Sequence, residues 1–148
     1  MKTGTVLVLL VEDDPRTWVP MSLLLMNEFF FEIDRPVDVL LAESLEKAEQ
    51  LAREHLSTID AILMDGVIVG GTTFNLIRLI RELGFRGPMV TFSGEERTFI
   101  DRMMAAGCDV RLRKPIDSQD LFRVLKARLN APTVQAEPPV LQPSSSLV

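Results

Sequence analysis

Cysteine and histidine are almost missing from this chain. Cys108 is the one cysteine and His55 the one histidine. A single thiol excludes an intrachain disulfide and fits a reducing compartment. Beside Gly107, Cys108 reads as small core filler rather than a reactive thiol. His55 falls near the end of a helical stretch, where it reads as a surface group and not as a phosphorylated or ligating imidazole. No apolar stretch reaches the length of a membrane span, and the N-terminus runs into a strand-like segment without a signal peptide. A cytoplasmic protein is therefore expected. Excess positive charge is also lacking: the net charge is -5, which argues against a general binder of nucleic acid or of membrane surfaces.

The 148 residues, 47% hydrophobic and 25% charged, suit one domain with a real core. Charge is uneven. Residues 97–128 carry eight Lys/Arg against four acids, so that stretch is +4 and the remainder is -9. A locally basic face follows, and a homodimer through residues 97–128 is one use for it. After Asn130 the composition changes to four prolines, Ser144-Ser145-Ser146 and a single charge, Glu137. The expected organisation is a domain over 1–130 and a flexible Pro/Ser-rich tail over 131–148, with no DNA-binding domain.

Apolar and helical patterns alternate along the domain. Val6–Val11 is continuously apolar, as in a strand buried on both faces. Val19, Leu23, Met26 and Phe30 recur at helical spacing. Thr17 as N-cap would place Pro20 harmlessly in the first turn, so a helix starting near Trp18 and running to about Phe31 is predicted. Trp18 then borders the acidic turn Glu12-Asp13-Asp14. Val37–Leu41 reads as a strand, and Ser44 caps a helix to about His55. Ile59–Met64 is the third strand. A loop containing Gly70-Gly71 leads to a helix over Phe74–Leu83. Met89–Phe92 is the fourth strand. Glu95 and Glu96 favour the start of a helix ending at Ala106. Val110–Arg113 is a short fifth strand. Asp117 or Ser118 caps a last helix with the buried stripe Leu121, Leu125 and Leu129. Five β-α repeats argue an α/β fold with a parallel sheet. Ligand sites in such sheets lie beyond the carboxyl ends of the strands.

Each of four runs ends in a different polar group: Glu12-Asp13-Asp14, Asp65, Ser93 and Lys114. Brought to one sheet edge, they form an acidic pair, a lone carboxylate, a hydroxyl and an amine. Glu12, Asp13 and Asp65 contribute -3, and Lys114 with one Mg2+ contributes +3. The site is therefore near neutral only with a divalent cation present, and hard oxygen ligands suit Mg2+. Asp65 is the candidate nucleophile for a phosphoryl group, with Lys114 and the cation stabilising its oxygens. Ser93 is placed to hydrogen-bond a phosphoryl oxygen, which biases a conformational equilibrium.

The motifs Leu9-Leu10-Val11-Glu12-Asp13-Asp14-Pro15, Ile59-Asp60-Ala61-Ile62-Leu63-Met64-Asp65, Pro88-Met89-Val90-Thr91-Phe92-Ser93-Gly94, Ala106-Gly107-Cys108-Asp109 and Lys114-Pro115 together resemble the receiver domain of two-component response regulators. The resemblance covers residues 4 to about 130 and is closest to the stand-alone, single-domain type. It implies a flavodoxin-like (βα)5 doubly wound sandwich with five parallel strands in the order 2-1-3-4-5. Asp65 would be the phosphoacceptor and Asp13 a direct Mg2+ ligand. Glu12 would act through a bound water, and Val67 would offer its backbone carbonyl. Ser93 would be the switch hydroxyl and Lys114 the family's amine. The donor would be a phosphohistidine on a histidine kinase or phosphotransfer protein, and the output a change in protein–protein contacts. No turnover of an external substrate is expected.

The chain departs from that pattern in two places. Arg111 occupies the position three before the lysine, where the family usually has an inward-turning aromatic ring, so a different switch readout is expected. Val69 and Thr73 stand where the family favours proline and glycine, so the loop after Asp65 is expected to be looser or differently shaped. A pseudo-receiver that binds partners without phosphorylation is the alternative reading. An aspartyl-nucleophile phosphatase resembling the haloacid dehalogenase group wants an acid at Val67. A flavin carrier of similar topology would not place Glu12-Asp13-Asp14 against a phosphate.

Overall fold

The computed structural model describes residues 4–94 and 96–130. Glu95, expected to help start a helix, and the tail over 131–148 lie outside the described residues. Strand β1 (Val6–Val11) leads through the Asp14 turn into helix α1 (Pro15–Leu23). A π-helical segment (Leu24–Phe29) and a last turn, α2 (Phe30–Ile33), continue it. Then come β2 (Val37–Ala42), α3 (Leu45–Glu54), β3 (Ala61–Asp65) and the short strands β4 (Val67–Ile68) and β5 (Gly71–Thr72). Helix α4 (Phe74–Glu82), β6 (Met89–Ser93), α5 (Arg97–Ala106), β7 (Val110–Arg113) and α6 (Ser118–Leu129) complete the chain.

The main sheet is parallel, in the order β2-β1-β3-β6-β7. Counting its own strands along the chain, this is the expected 2-1-3-4-5. Period-2 alternation divides the core. Leu9, Val11, Ile62, Met64 and Met89 point to the face covered by α3, α4 and α5. Val6, Val8, Leu10, Leu63, Val90 and Phe92 point to the face covered by α1 and α6. Both faces are dry, which is why β1 and β3 read as unbroken apolar runs rather than alternating ones.

The first helix corrects the sequence reading. It starts at Pro15, not near Trp18, because the Asp14 side chain accepts from Arg16 N at 2.9 Å and caps it. Pro15 then takes the first helical position, where proline loses nothing. Thr17 is inside the helix, and so is Pro20. Downstream of Pro20 the chain takes the wider π turn, which changes the angular spacing of its side chains. The buried stripe is Met21, Leu25 and Phe29, while Val19, Leu23 and Met26 are exposed and Phe30 is half-buried. Phe29 stacks on Phe122 of α6 with ring centroids 5.2 Å apart, and this contact fixes which register wins. The last helix follows expectation: Asp117 accepts from Gln119 N and Asp120 N, and Leu121 and Leu125 are buried.

The segment after Asp65 forms a short hairpin. β4 and β5 pair antiparallel, with Val67 opposite Thr72 and Ile68 opposite Gly71. Gly70 and Gly71 have φ of 104° and 131°, a left-handed backbone that glycine adopts without steric cost. Thr73 is fully buried. Its hydroxyl donates to the Asp65 carbonyl at 3.0 Å, holding the end of the hairpin against β3.

Candidate functional site

The carboxyl ends of β1, β3, β6 and β7 bring the four predicted polar groups to one edge. Asp65 ends β3 and is 6% exposed. Its Oδ1 accepts from Val67 N at 3.1 Å, and its Oδ2 accepts from Lys114 Nζ at 2.7 Å. Glu12, directly after β1, is 1% exposed. Its Oε2 accepts from the backbone N–H groups of Asp13 (3.0 Å) and Asp14 (3.1 Å). Its Oε1 is buried without a hydrogen-bond partner, and Lys114 Nζ stands 3.9 Å away. The Lys114-Pro115 peptide is cis.

The charges strain against one another. Burial pushes the Glu12 carboxyl up to about 7. The backbone N–H of Asp14 opposes the rise and the neighbouring Asp65 carboxylate adds to it. Lys114 is desolvated, which favours its neutral form, but Asp65 and then Glu12 outweigh this and raise its pKa. One ammonium serves two buried carboxylates, so an acceptor is left over.

Asp13, half-buried, accepts at Oδ2 from Val69 N at 2.9 Å. Among the described residues no group of three acidic, imidazole or thiol side chains forms a complete metal cage. Mg2+ does not require one, because one or two carboxylates with backbone oxygens and waters suffice. The orphaned Glu12 Oε1 is an acceptor of the kind a cation-bound water satisfies. The hairpin supplies another: Thr73 N donates to Gly66 O at 3.1 Å, so the next pair, Val67 and Thr72, stands between ladder hydrogen bonds. The carbonyl of Val67 therefore faces away from its partner strand. Glu12, Asp13, Asp65 and the Val67 carbonyl are oxygen donors, the donor type a hard divalent cation takes.

Ser93 ends β6 and is buried. A Cβ built on Gly66 would meet the Phe99 ring at 2.6 Å and lie 3.6 Å from Ser93 Oγ. Ser93 and Phe99 of α5 thus sit directly against the residue following Asp65, and a side chain there would push the Phe99 ring aside. Arg111 lies on β7 in register with Thr91 and is half-buried, not enclosed.

The structure adds groups that the linear pattern did not reveal. Thr73 holds β3 and α4 together, the Val69 amide holds Asp13, and Phe99 closes over Gly66. The sequence marks Val69 and Thr73 only as departures from the receiver pattern and Phe99 not at all, because what each does depends on the contact it makes in the fold. Four of the cations in the 97–128 stretch have partners within the domain. Lys114 enters the site, Arg102 stacks over Phe74 at 4.4 Å, Arg123 pairs with Asp120 at 2.9 Å and Arg128 lies 3.9 Å from Asp109. Cys108 is buried and its thiol is pushed up to about 12 by burial and then by Asp109, consistent with core filler. His55 caps α3, 3.9 Å from Glu54. No helix among the described residues is long and apolar enough to cross a membrane.

Neither protein-family models nor curated proteins match the sequence. Solved structures do. The receiver domain of a sensor histidine kinase from Pseudomonas aeruginosa, solved with a magnesium ion coordinated in its active-site cleft, is similar with a TM-score of 0.71 at 22% identity. The match covers 86% of this chain and 100% of that one. A CheY-like response regulator receiver domain from Methanospirillum hungatei gives 0.70 at 19% identity, covering 86% and 95%. A receiver domain from Clostridium thermocellum gives 0.70 at 21%, covering 84% and 94%. The chain has the fold of response regulator receiver domains.

Proposed function

We propose that this protein is a signalling receiver that accepts a phosphoryl group on Asp65. The observation that carries the reading is the contact between Lys114 Nζ and Asp65 Oδ2 at 2.7 Å, with a second buried carboxylate, Glu12, left one cation short beside it. In the proposed step an Asp65 oxygen attacks the phosphorus of a phosphohistidine. The P–N bond breaks, its electron pair returns to the imidazole of the donor, and a P–O bond forms on Asp65. Bound Mg2+ supplies the remaining positive charge that lets a phosphate approach three carboxylates. Asp13, Asp65 and the Val67 carbonyl would hold it directly, and Glu12 through a bound water. Lys114 neutralises Asp65 before the reaction and a phosphoryl oxygen after it. Ser93, against Gly66, is positioned to donate to another oxygen and so to exist in two hydrogen-bonding states. No external substrate is turned over.

The donor is proposed to be a histidine kinase or a phosphotransfer protein. A groove of about 540 Å³ opens beside Lys114, lined by Pro20, Met21, Leu24, Lys114, Ile116 and Leu121. Its largely apolar wall suits a partner surface bringing a phosphohistidine to Asp65. The output is a change in protein contacts, with Arg111 in the place of the usual aromatic readout. Cytoplasmic location follows from this role.

The test is incubation with acetyl phosphate and Mg2+ followed by mass spectrometry. A phosphoryl adduct is expected on the wild type and none on Asp65→Asn. Undiminished labelling of Asp65→Asn refutes the acceptor assignment. No labelling of the wild type favours the alternative, a pseudo-receiver that binds partners without phosphorylation.

A further inference from the structure

The β4–β5 hairpin is tied to the acidic site at three points. Val67 N donates to Asp65 Oδ1 at 3.1 Å, the Thr73 hydroxyl donates to the Asp65 carbonyl at 3.0 Å, and Val69 N donates to Asp13 Oδ2 at 2.9 Å. The last bond spans 56 residues of sequence and crosses from the hairpin turn to the end of β1. Asp13 is only half-buried, on a turn where a free carboxylate would rotate between water-facing positions. The amide restrains it by engaging one of its two oxygens.

We propose that the backbone N–H of Val69 is a positioning group for the divalent cation, presetting the Asp13 carboxylate, so that cation binding and the order of the β4–β5 hairpin are coupled. This rests on the reading that Glu12, Asp13 and Asp65 take such a cation. The hairpin contributes twice: the Val67 carbonyl is turned out of the ladder, and the Val69 amide holds the Asp13 carboxylate. Coupling of this kind is reciprocal. Whatever the hairpin adds to cation affinity, the cation returns as resistance of the hairpin to opening. The hairpin also exposes Val69 at its turn, with 67% of its surface accessible, so occupancy of the site is reported at the surface through the backbone.

The backbone permits a clean perturbation. Val69 does not have a positive φ, whereas Gly70 does. Proline is favoured directly before such a glycine in a turn. Val69→Pro therefore removes the N–H without demanding a forbidden conformation. Val69→Ala restores the N–H and serves as the rescue. Binding of Mg2+ alone is followed through Trp18 fluorescence, with folding checked by circular dichroism. Ordering one side chain is worth enough to predict a roughly three- to tenfold weaker Kd for Val69→Pro, with recovery in Val69→Ala. In the wild type, Mg2+ is expected to slow hydrogen exchange at the Val69 amide. Wild-type affinity in a folded Val69→Pro, or equal loss in Val69→Ala, overturns the proposal. Should Val69→Pro not fold, the exchange measurement decides: a Val69 amide indifferent to Mg2+ overturns it. A wild type with no saturable Mg2+ response overturns the cation site itself, and the proposal with it.

Discussion

Raising the pH of the metal-free protein is expected to destabilise it over a window set by one residue, Glu12. Its carboxyl titrates near 4.5 unperturbed and is pushed up to about 7 by burial and by Asp65. A carboxyl whose folded-state pKa lies above the unfolded value holds its proton better when folded. Its contribution is fully present below about pH 4.5 and is lost as pH rises through about 7. The rise corresponds to about 3 kcal/mol. Asp14, lowered by its hydrogen bonds to Arg16, titrates below this window, and Lys114, raised by Asp65 over its desolvation, titrates above it. The assay is urea unfolding at pH 5 and pH 8 in EDTA, on the wild type and on Glu12→Gln. The wild type should lose about 3 kcal/mol across the interval, and Glu12→Gln should be nearly flat. Saturating Mg2+ should shrink the wild-type loss, because a cation compensates the carboxylate that Lys114 cannot. Stability that rises from pH 5 to pH 8 in EDTA, or an unchanged slope in Glu12→Gln, refutes the reasoning.

Lys114→Ala should retain Mg2+ binding but lose the phosphorylation-induced change, read as amide chemical shifts before and after acetyl phosphate; a normal response contradicts its role. Leu25→Ala should cost about 2–5 kcal/mol, because Leu25, in the π-helical segment, is fully buried in the core against the sheet. Leu23→Ala, at a half-exposed position, should stay within about 0.5 kcal/mol of wild type. Urea denaturation of this pair checks the register of the first helix.

The cluster of polar groups at the candidate site was legible because it is written at strand ends. A run such as Ala61-Ile62-Leu63-Met64 can only be a buried strand, and the polar residue that stops it must lie at the sheet edge. Parallel connections then bring Glu12, Asp65, Ser93 and Lys114 together with no further information. The first helix was not legible. The chain from Trp18 to Phe31 holds two interleaved apolar patterns, and periodicity alone does not choose between them. The Asp14 cap sets where the helix starts, the π turn after Pro20 shifts its phase, and Phe122 selects Phe29. The hairpin after Asp65 was equally hidden, since two glycines announce a turn but not what its amides reach.

Sequence by itself determined five buried parallel strands alternating with helices and the chemical groups at their ends, because burial on both faces and β-α alternation demand such a sheet; its strand order was implied by the resemblance to receiver domains and is seen in the fold. Only the tertiary structure decided that Lys114 holds Asp65 at 2.7 Å, that Glu12 keeps an unpaired oxygen and that Val69 restrains Asp13. Those are contacts between segments dozens of residues apart. Their geometry is fixed by how closely the strands and the hairpin pack, which no local pattern encodes.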